Sequence, residues 1–226
     1  MYRSRFCGLV YSSTNESLDA VITGLEPDKT DRILAVGGSG DQTFAMIEYG
    51  AKVVCVDNDT TQISYIQERK KLLSQGEYEQ FYPLDYPSRN AETYFNKPGR
   101  KERIRENLNN LEIRPPEDFV EVARKEKGFT KLYLSNILGF HRTTSEYKED
   151  HIFMAALEAM AKKLETGNTI YISNHGWLCT TFPQYDQFIK NTSLLEIDKD
   201  LTEKAMEYEK TTFEQKVWNP AVYRIK

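Results

Sequence analysis

The chain of 226 residues is 39% apolar and 28% charged, the balance of an ordinary globular protein with one sizeable core and one domain. Its net charge of −4 gives no electrostatic case for a nucleic-acid partner. Cys7, Cys55 and Cys179 include no close pair, so neither a disulfide framework nor a zinc site is indicated; a reducing cytoplasm fits, with no signal-peptide stretch and no run of about 20 apolar residues for stable membrane insertion.

Residues 1–13 are mixed and are expected to pack over the loop that follows the first strand. Asn15 or Ser17 caps a helix over 18–25, with Leu18, Val21, Ile22 and Leu25 on one face. Residues 33–36 are a short apolar run suited to a strand buried on both faces. Gly37, Gly38, Ser39 and Gly40 follow, and so many glycines together permit positive φ and let a ligand lie against bare backbone. Residues 42–49 read as a helix stopped by Gly50. A second apolar run, 53–56, ends on Asp57 and Asn58; Thr60 or Thr61 then caps a helix to about residue 74, with Gln62 in its first turn near the ligand.

Strand, glycine turn, helix, strand and carboxylate make the first half of a nucleotide-binding α/β sheet, with Asp57 placed to accept from a ribose diol. Asp41 selects among nucleotides: it would repel a pyrophosphate and attract the sulfonium and ammonium of S-adenosylmethionine. Thr43 also stands where the dinucleotide fingerprint has its third glycine. The alternative is a doubly wound domain whose glycines only serve a turn; Asp57 argues against it.

Residues 77–110 exceed the link that a plain doubly wound domain needs. They hold Tyr78, Phe81, Tyr82, Tyr94 and Phe95 with a run of Lys and Arg. Two readings stay open: a lid or acceptor-binding cap, or a helical excursion with a solvated charged face. A third strand is expected at 111–114 and a helix at 117–125, where Asp118 would sit near an adenine. Strands at 131–134 and 169–172, separated by a helix at 149–163, end alike in Ser135-Asn136 and Ser173-Asn174. Both pairs lie at the carboxyl edge of parallel strands, where ligands bind, and Ser and Asn each donate and accept. Asn136 and Asn174 are therefore placed at the reacting end. His141 and His175 follow those edges, each either a proton acceptor or a structural histidine, the latter the better reading for each singly, and Tyr82, Asp85 and Tyr86 are further candidates near an acceptor. A helix is expected at 182–190, and 207–217 with 221–225 read as a closing pair of strands.

Five β/α units and a terminal strand pair resemble the class I S-adenosylmethionine-dependent transferase fold, an α/β Rossmann-like doubly wound sheet of about seven strands with an antiparallel last strand. Ordinary methyltransferases of that fold usually have an acid two residues before the first glycine, and this chain has Ala35. The wording Ile-Leu-Ala-Val-Gly-Gly-Ser-Gly-Asp, then Val-Asp-Asn-Asp-Thr-Thr-Gln-Ile and Leu-Ser-Asn-Ile-Leu, is similar to the 3-amino-3-carboxypropyltransferases of betaine-lipid synthesis. The resemblance implies S-adenosylmethionine as cofactor and attack on its γ-carbon, with release of methylthioadenosine. The recipient would be a small-molecule acceptor, or the donor's own amine closing to azetidine-2-carboxylate. Methyl transfer to a small molecule is the alternative, and a non-catalytic nucleotide-binding module the third reading.

Overall fold

The structure is a computed structural model, and it describes residues 8–81, 88–138, 151–210 and 218–226. Seven strands form one sheet in the order β3-β2-β1-β4-β5-β7-β6. They are β1 (Arg32–Val36), β2 (Lys52–Val56), β3 (Leu111–Ile113), β4 (Lys131–Tyr133), β5 (Thr169–Ile172), β6 (Leu195–Ile197) and β7 (Ala221–Ile225). The first five pair in parallel, and β7 runs antiparallel between β5 and β6. The order reverses beside β1, which opens a crevice at the carboxyl ends of β1, β2 and β4.

Strand alternation divides the core into two layers. Ile33, Ala35, Val53, Cys55, Tyr133, Tyr171 and Val222 face one side of the sheet. Against them pack α1 (Leu18–Leu25), α2 (Asp41–Ile47), α3 (Thr60–Gln75), α4 (Tyr78–Phe81), α5 (Arg89–Phe95) and α6 (Arg100–Glu106). Leu34, Val54, Val56, Leu132, Ile170, Ile172 and Tyr223 face the other side, beneath α7 (Phe119–Lys125), α8 (His151–Ala161), α9 (His175–Thr181) and α10 (Pro183–Asn191). The late helix α11 (Lys199–Lys210) returns to the first layer through Leu201 and Ala205. No helix among the described residues is long and apolar enough to cross a membrane.

Ser17 caps α1 as expected, accepting from the Ala20 N–H at 3.1 Å. The cap of α3 is Asp59 rather than either threonine; its carboxylate accepts from the amides of Thr61 and Gln62. The closing strand pair is a correction. Ala221–Ile225 is a strand, but its partner is Leu195–Ile197, and residues 207–210 belong to α11. The edge strand has three residues and buries only Leu195, too short for alternation to announce it. Asp198 then starts α11, accepting from the Leu201 N–H at 3.1 Å and pairing with Arg224 of β7. Residues 211–217 of the expected strand lie outside the described residues.

The described part of 77–110 is a helical excursion joined to the core. Phe44, Phe81, Phe95 and Tyr94 stack edge to face in a chain, with successive centroids 5.2, 5.3 and 5.3 Å apart. Two of its cations meet the core side: Arg103 meets Glu48 at 2.5 Å, and Arg100 lies over the Tyr94 ring at 3.5 Å.

Candidate active site

The glycine turn is shaped by what surrounds it. The Gly37 N–H donates to the Val56 carbonyl at 2.7 Å, which ties the turn to β2. Gly40 has a φ of +85°, and a Cβ there would lie 3.0 Å from Ile66 of α3. Gly38 also has positive φ, and a Cβ on it would meet no protein atom within 4 Å, so its backbone lies bare toward the crevice. Asp57 faces this turn. One carboxylate oxygen accepts from the Gly38 N–H at 2.8 Å and the other from the Asp59 N–H at 3.0 Å. Each oxygen keeps a lone pair for a ligand. Burial raises the Asp57 carboxyl above its ordinary value.

Residues 8–16 run over the turn as a strap, as expected for the described part of the N-terminal stretch. Gln62 fastens it. Its Oε1 accepts from the amides of Val10 and Tyr11 at 2.9 and 3.0 Å, while its Nε2 donates to the carbonyls of Tyr11 and Gly38. The Tyr65 hydroxyl donates to the Ser12 carbonyl at 2.7 Å.

Asp41 does not face the crevice. It is 0% exposed and pairs with Arg69 of α3 at 2.7 Å. It also accepts from the Thr14 N–H at 2.7 Å and the Ser39 hydroxyl at 2.9 Å. The charge expected to attract a cationic ligand is thus already matched by a protein cation, which the local sequence around Asp41 does not reveal. Arg69 also donates to the Ser39 carbonyl, so this ion pair braces the turn from behind.

One acid that does reach the crevice, and that sequence reasoning missed, is Glu16. It is 2% exposed. One of its oxygens accepts from the Ser135 hydroxyl; the other accepts from Tyr133 at 2.7 Å and Ser173 at 2.5 Å. Burial raises its carboxyl, opposed by those three hydroxyl donors. Glu209 of α11 accepts from the Ser17 N–H, and burial together with the Glu16 charge pushes its carboxyl up to about 8. A signal for Glu16 exists. It occupies the position before the helix cap Ser17, where an apolar residue commonly packs and a carboxylate serves no capping role.

A cavity of about 280 Å³ lies between these parts. Of the residues singled out from the sequence, Gly37, Gly38, Ser39, Asp57, Asn58, Gln62, Asp118, Ser135 and Asn136 line it. Asp118 does so while capping α7, where it accepts from the Glu121 N–H at 2.9 Å. Gly40, Asp41 and Asn174 do not line it. The two Ser-Asn edges therefore part company: both serines converge on Glu16, but Asn174 is buried at the start of α9. His175 is turned into the second core layer, where Nδ1 lies 2.6 Å from the Tyr223 hydroxyl and burial lowers its pKa. Tyr82, Asp85, Tyr86 and His141 lie outside the described residues. Five carboxylates line the cavity, those of Glu16, Asp57, Asp59, Glu117 and Asp118, and its described lining contains no Lys, Arg or His.

Comparison with solved structures places this architecture. A methyltransferase from Geobacter sulfurreducens superposes with a TM-score of 0.52 at 11% identity, covering 95% of this chain and 81% of its own. The cofactor-bound protein Rv0187 from MTB gives 0.55 at 11% identity over 94% and 81%. SMU.1697c from Streptococcus mutans, in complex with S-adenosylhomocysteine, gives 0.52 at 13% identity over 94% and 98%. The chain has the methyltransferase fold. No protein-family model and no curated protein matches the sequence. Within the methyltransferase fold the crevice beside β1 is the switch-point position at which ligands bind, and the cavity occupies it.

Proposed function

We propose that the chain is an S-adenosylmethionine-dependent transferase acting on a small molecule. One observation carries this reading: a cavity at the switch point that joins bare glycine backbone and a half-used Asp57 carboxylate to an acidic lining without cations. Asp57 would hold the ribose diol with its two remaining lone pairs. The open space over Gly38 would leave room for the amino-acid arm, and Phe119 would supply an apolar wall for the adenine. The acidic lining suits a sulfonium and an ammonium, and disfavours a pyrophosphate or a nucleic-acid backbone. The bound cofactor supplies an electrophilic carbon beside its sulfonium. The protein's share is to align an acceptor in line with it and to exclude water.

Methyl transfer is the first reading of the reaction, because the fold is the one shared with methyltransferases. Attack on the γ-carbon is the second, favoured by one observation: Ala35 is fully buried in β1, where an acid usually stands in methyltransferases. Asp41 no longer supports it, since that carboxylate belongs to Arg69. Mass spectrometry of the nucleoside released from S-adenosylmethionine decides. S-adenosylhomocysteine with a methylated product supports the first, and methylthioadenosine above the spontaneous background supports the second. A protein that neither binds nor consumes S-adenosylmethionine has some other function.

A further inference from the structure

The buried acids of the described residues differ in how their charge is met. Asp31 pairs with Lys131 at 2.7 Å, Asp41 with Arg69 at 2.7 Å, and Glu48 with Arg103 at 2.5 Å. Glu16 has no Lys, Arg or His within ion-pair distance among the described residues, and its neighbour Glu209 is a second acid rather than a cation. An isolated buried carboxylate is costly, and proteins retain one where a cation arrives from elsewhere or where it is needed protonated. The three groups around it argue for the first case. Tyr133, Ser135 and Ser173 all aim hydroxyls at the two oxygens, which fixes the carboxylate without neutralising it. Of roughly four acceptor sites on a carboxylate, three are taken, and the fourth is on the oxygen that meets Ser135 at the cavity wall.

Position selects the cation. Tyr133 pairs with Ala35 of β1, and β1 pairs with β2, which ends at Asp57. Tyr133 and Asp57 thus lie about two strand spacings apart across the sheet, roughly 10 Å, and Glu16 sits on the Tyr133 side. That is the order of the span from a ribose diol to the amino group at the far end of the donor's four-carbon arm. We propose that Glu16 receives the ammonium of that amino-acid arm, with Tyr133, Ser135 and Ser173 as the groups that hold it in place. The proposal rests on the cofactor reading above. The strap then has a chemical role, because the acid that the strand before the glycine turn lacks at Ala35 is delivered from residues 8–16 onto the adjoining strand.

Two ligands separate the claims. S-adenosylhomocysteine and methylthioadenosine share the adenosine, and only the first carries the ammonium. Calorimetry on the full chain should show that wild type binds both. Glu16→Gln should weaken S-adenosylhomocysteine by roughly 10- to 100-fold, the order of one charge-assisted hydrogen bond, and leave methylthioadenosine within about twofold. Unchanged affinity for S-adenosylhomocysteine overturns the proposal while leaving the cofactor reading intact. Wild type that binds neither ligand overturns both. Retained methylthioadenosine binding by the variant shows that it is folded. Among the described residues, Tyr133, Tyr171 and Glu209 are the titratable groups around Glu16, and none brings a positive charge.

Discussion

Asp41 and Glu16 are joined through a single residue: the Thr14 N–H donates to Asp41, and the Thr14 hydroxyl accepts from the Glu16 N–H. Both acids are buried, yet their surroundings are opposite. Asp41 is enclosed with Arg69 and holds the glycine turn in shape. Glu16 is enclosed with hydroxyls and lines the cavity. A buried charge that the protein neutralises itself is architecture. One that it leaves to hydroxyl donors is held ready for something that comes and goes.

The largest effect should come from breaking the self-contained pair. Arg69→Leu strands the Asp41 charge in the core and should cost about 3–5 kcal/mol of stability in urea unfolding. Adding Asp41→Asn should recover a large part of that loss; a double variant no better than the single one would remove Asp41 as the reason. Next is the ligand side. Asp57→Ala should cost about 1.5–3 kcal/mol of S-adenosylhomocysteine affinity, because a charged acceptor is lost. Calorimetry showing unchanged affinity would place the ribose elsewhere.

A third test sharpens the comparison through pH. Burial first, and then the Glu16 charge, pushes the Glu209 carboxyl from its ordinary 4.5 to about 8. A carboxyl raised on folding stabilises fully below its unfolded value and loses that contribution as pH rises through the folded one. Stability should therefore fall between about pH 4.5 and 8. Glu209→Gln should flatten that fall and leave the variant more stable than wild type at pH 9 by roughly 1–3 kcal/mol. A parallel pair of profiles would show that Glu209 is not the titrating group. The smallest effect concerns the matched strand ends. Asn136→Ala should lower nucleoside release from S-adenosylmethionine by roughly 2- to 10-fold, the size of one neutral hydrogen bond. Asn174→Ala should change the unfolding midpoint and leave release alone. The reverse pattern would move the reacting end from β4 to β5.

Much of the fold was legible because its first half repeats simple signals. Ile33 to Val36 and Val53 to Val56 are apolar throughout, as strands covered on both faces must be, and the glycines cluster directly after the first run. That Asp57 and Gln62 lie beside the glycine turn followed from spacing along one β/α unit. What stayed hidden depends on segments distant in sequence. Nothing near Asp41 says that Arg69 will close on it. Glu16 lies in a strap without periodicity, and its role exists only once Tyr133, Ser135 and Ser173 arrive from two strands. Leu195–Ile197 became a strand only by pairing with the chain's last one.

The strap's cavity also has an optical consequence. The chain contains two tryptophans. Trp218 lines the cavity, while Trp177 stands 49% exposed against Phe182 on α9's side of the molecule. A ligand filling the cavity would alter the polarity around Trp218 and leave Trp177 in water. The unlabelled protein therefore carries its own fluorescent reporter of occupancy, with Trp177 as a constant background that Trp177→Phe would strip away.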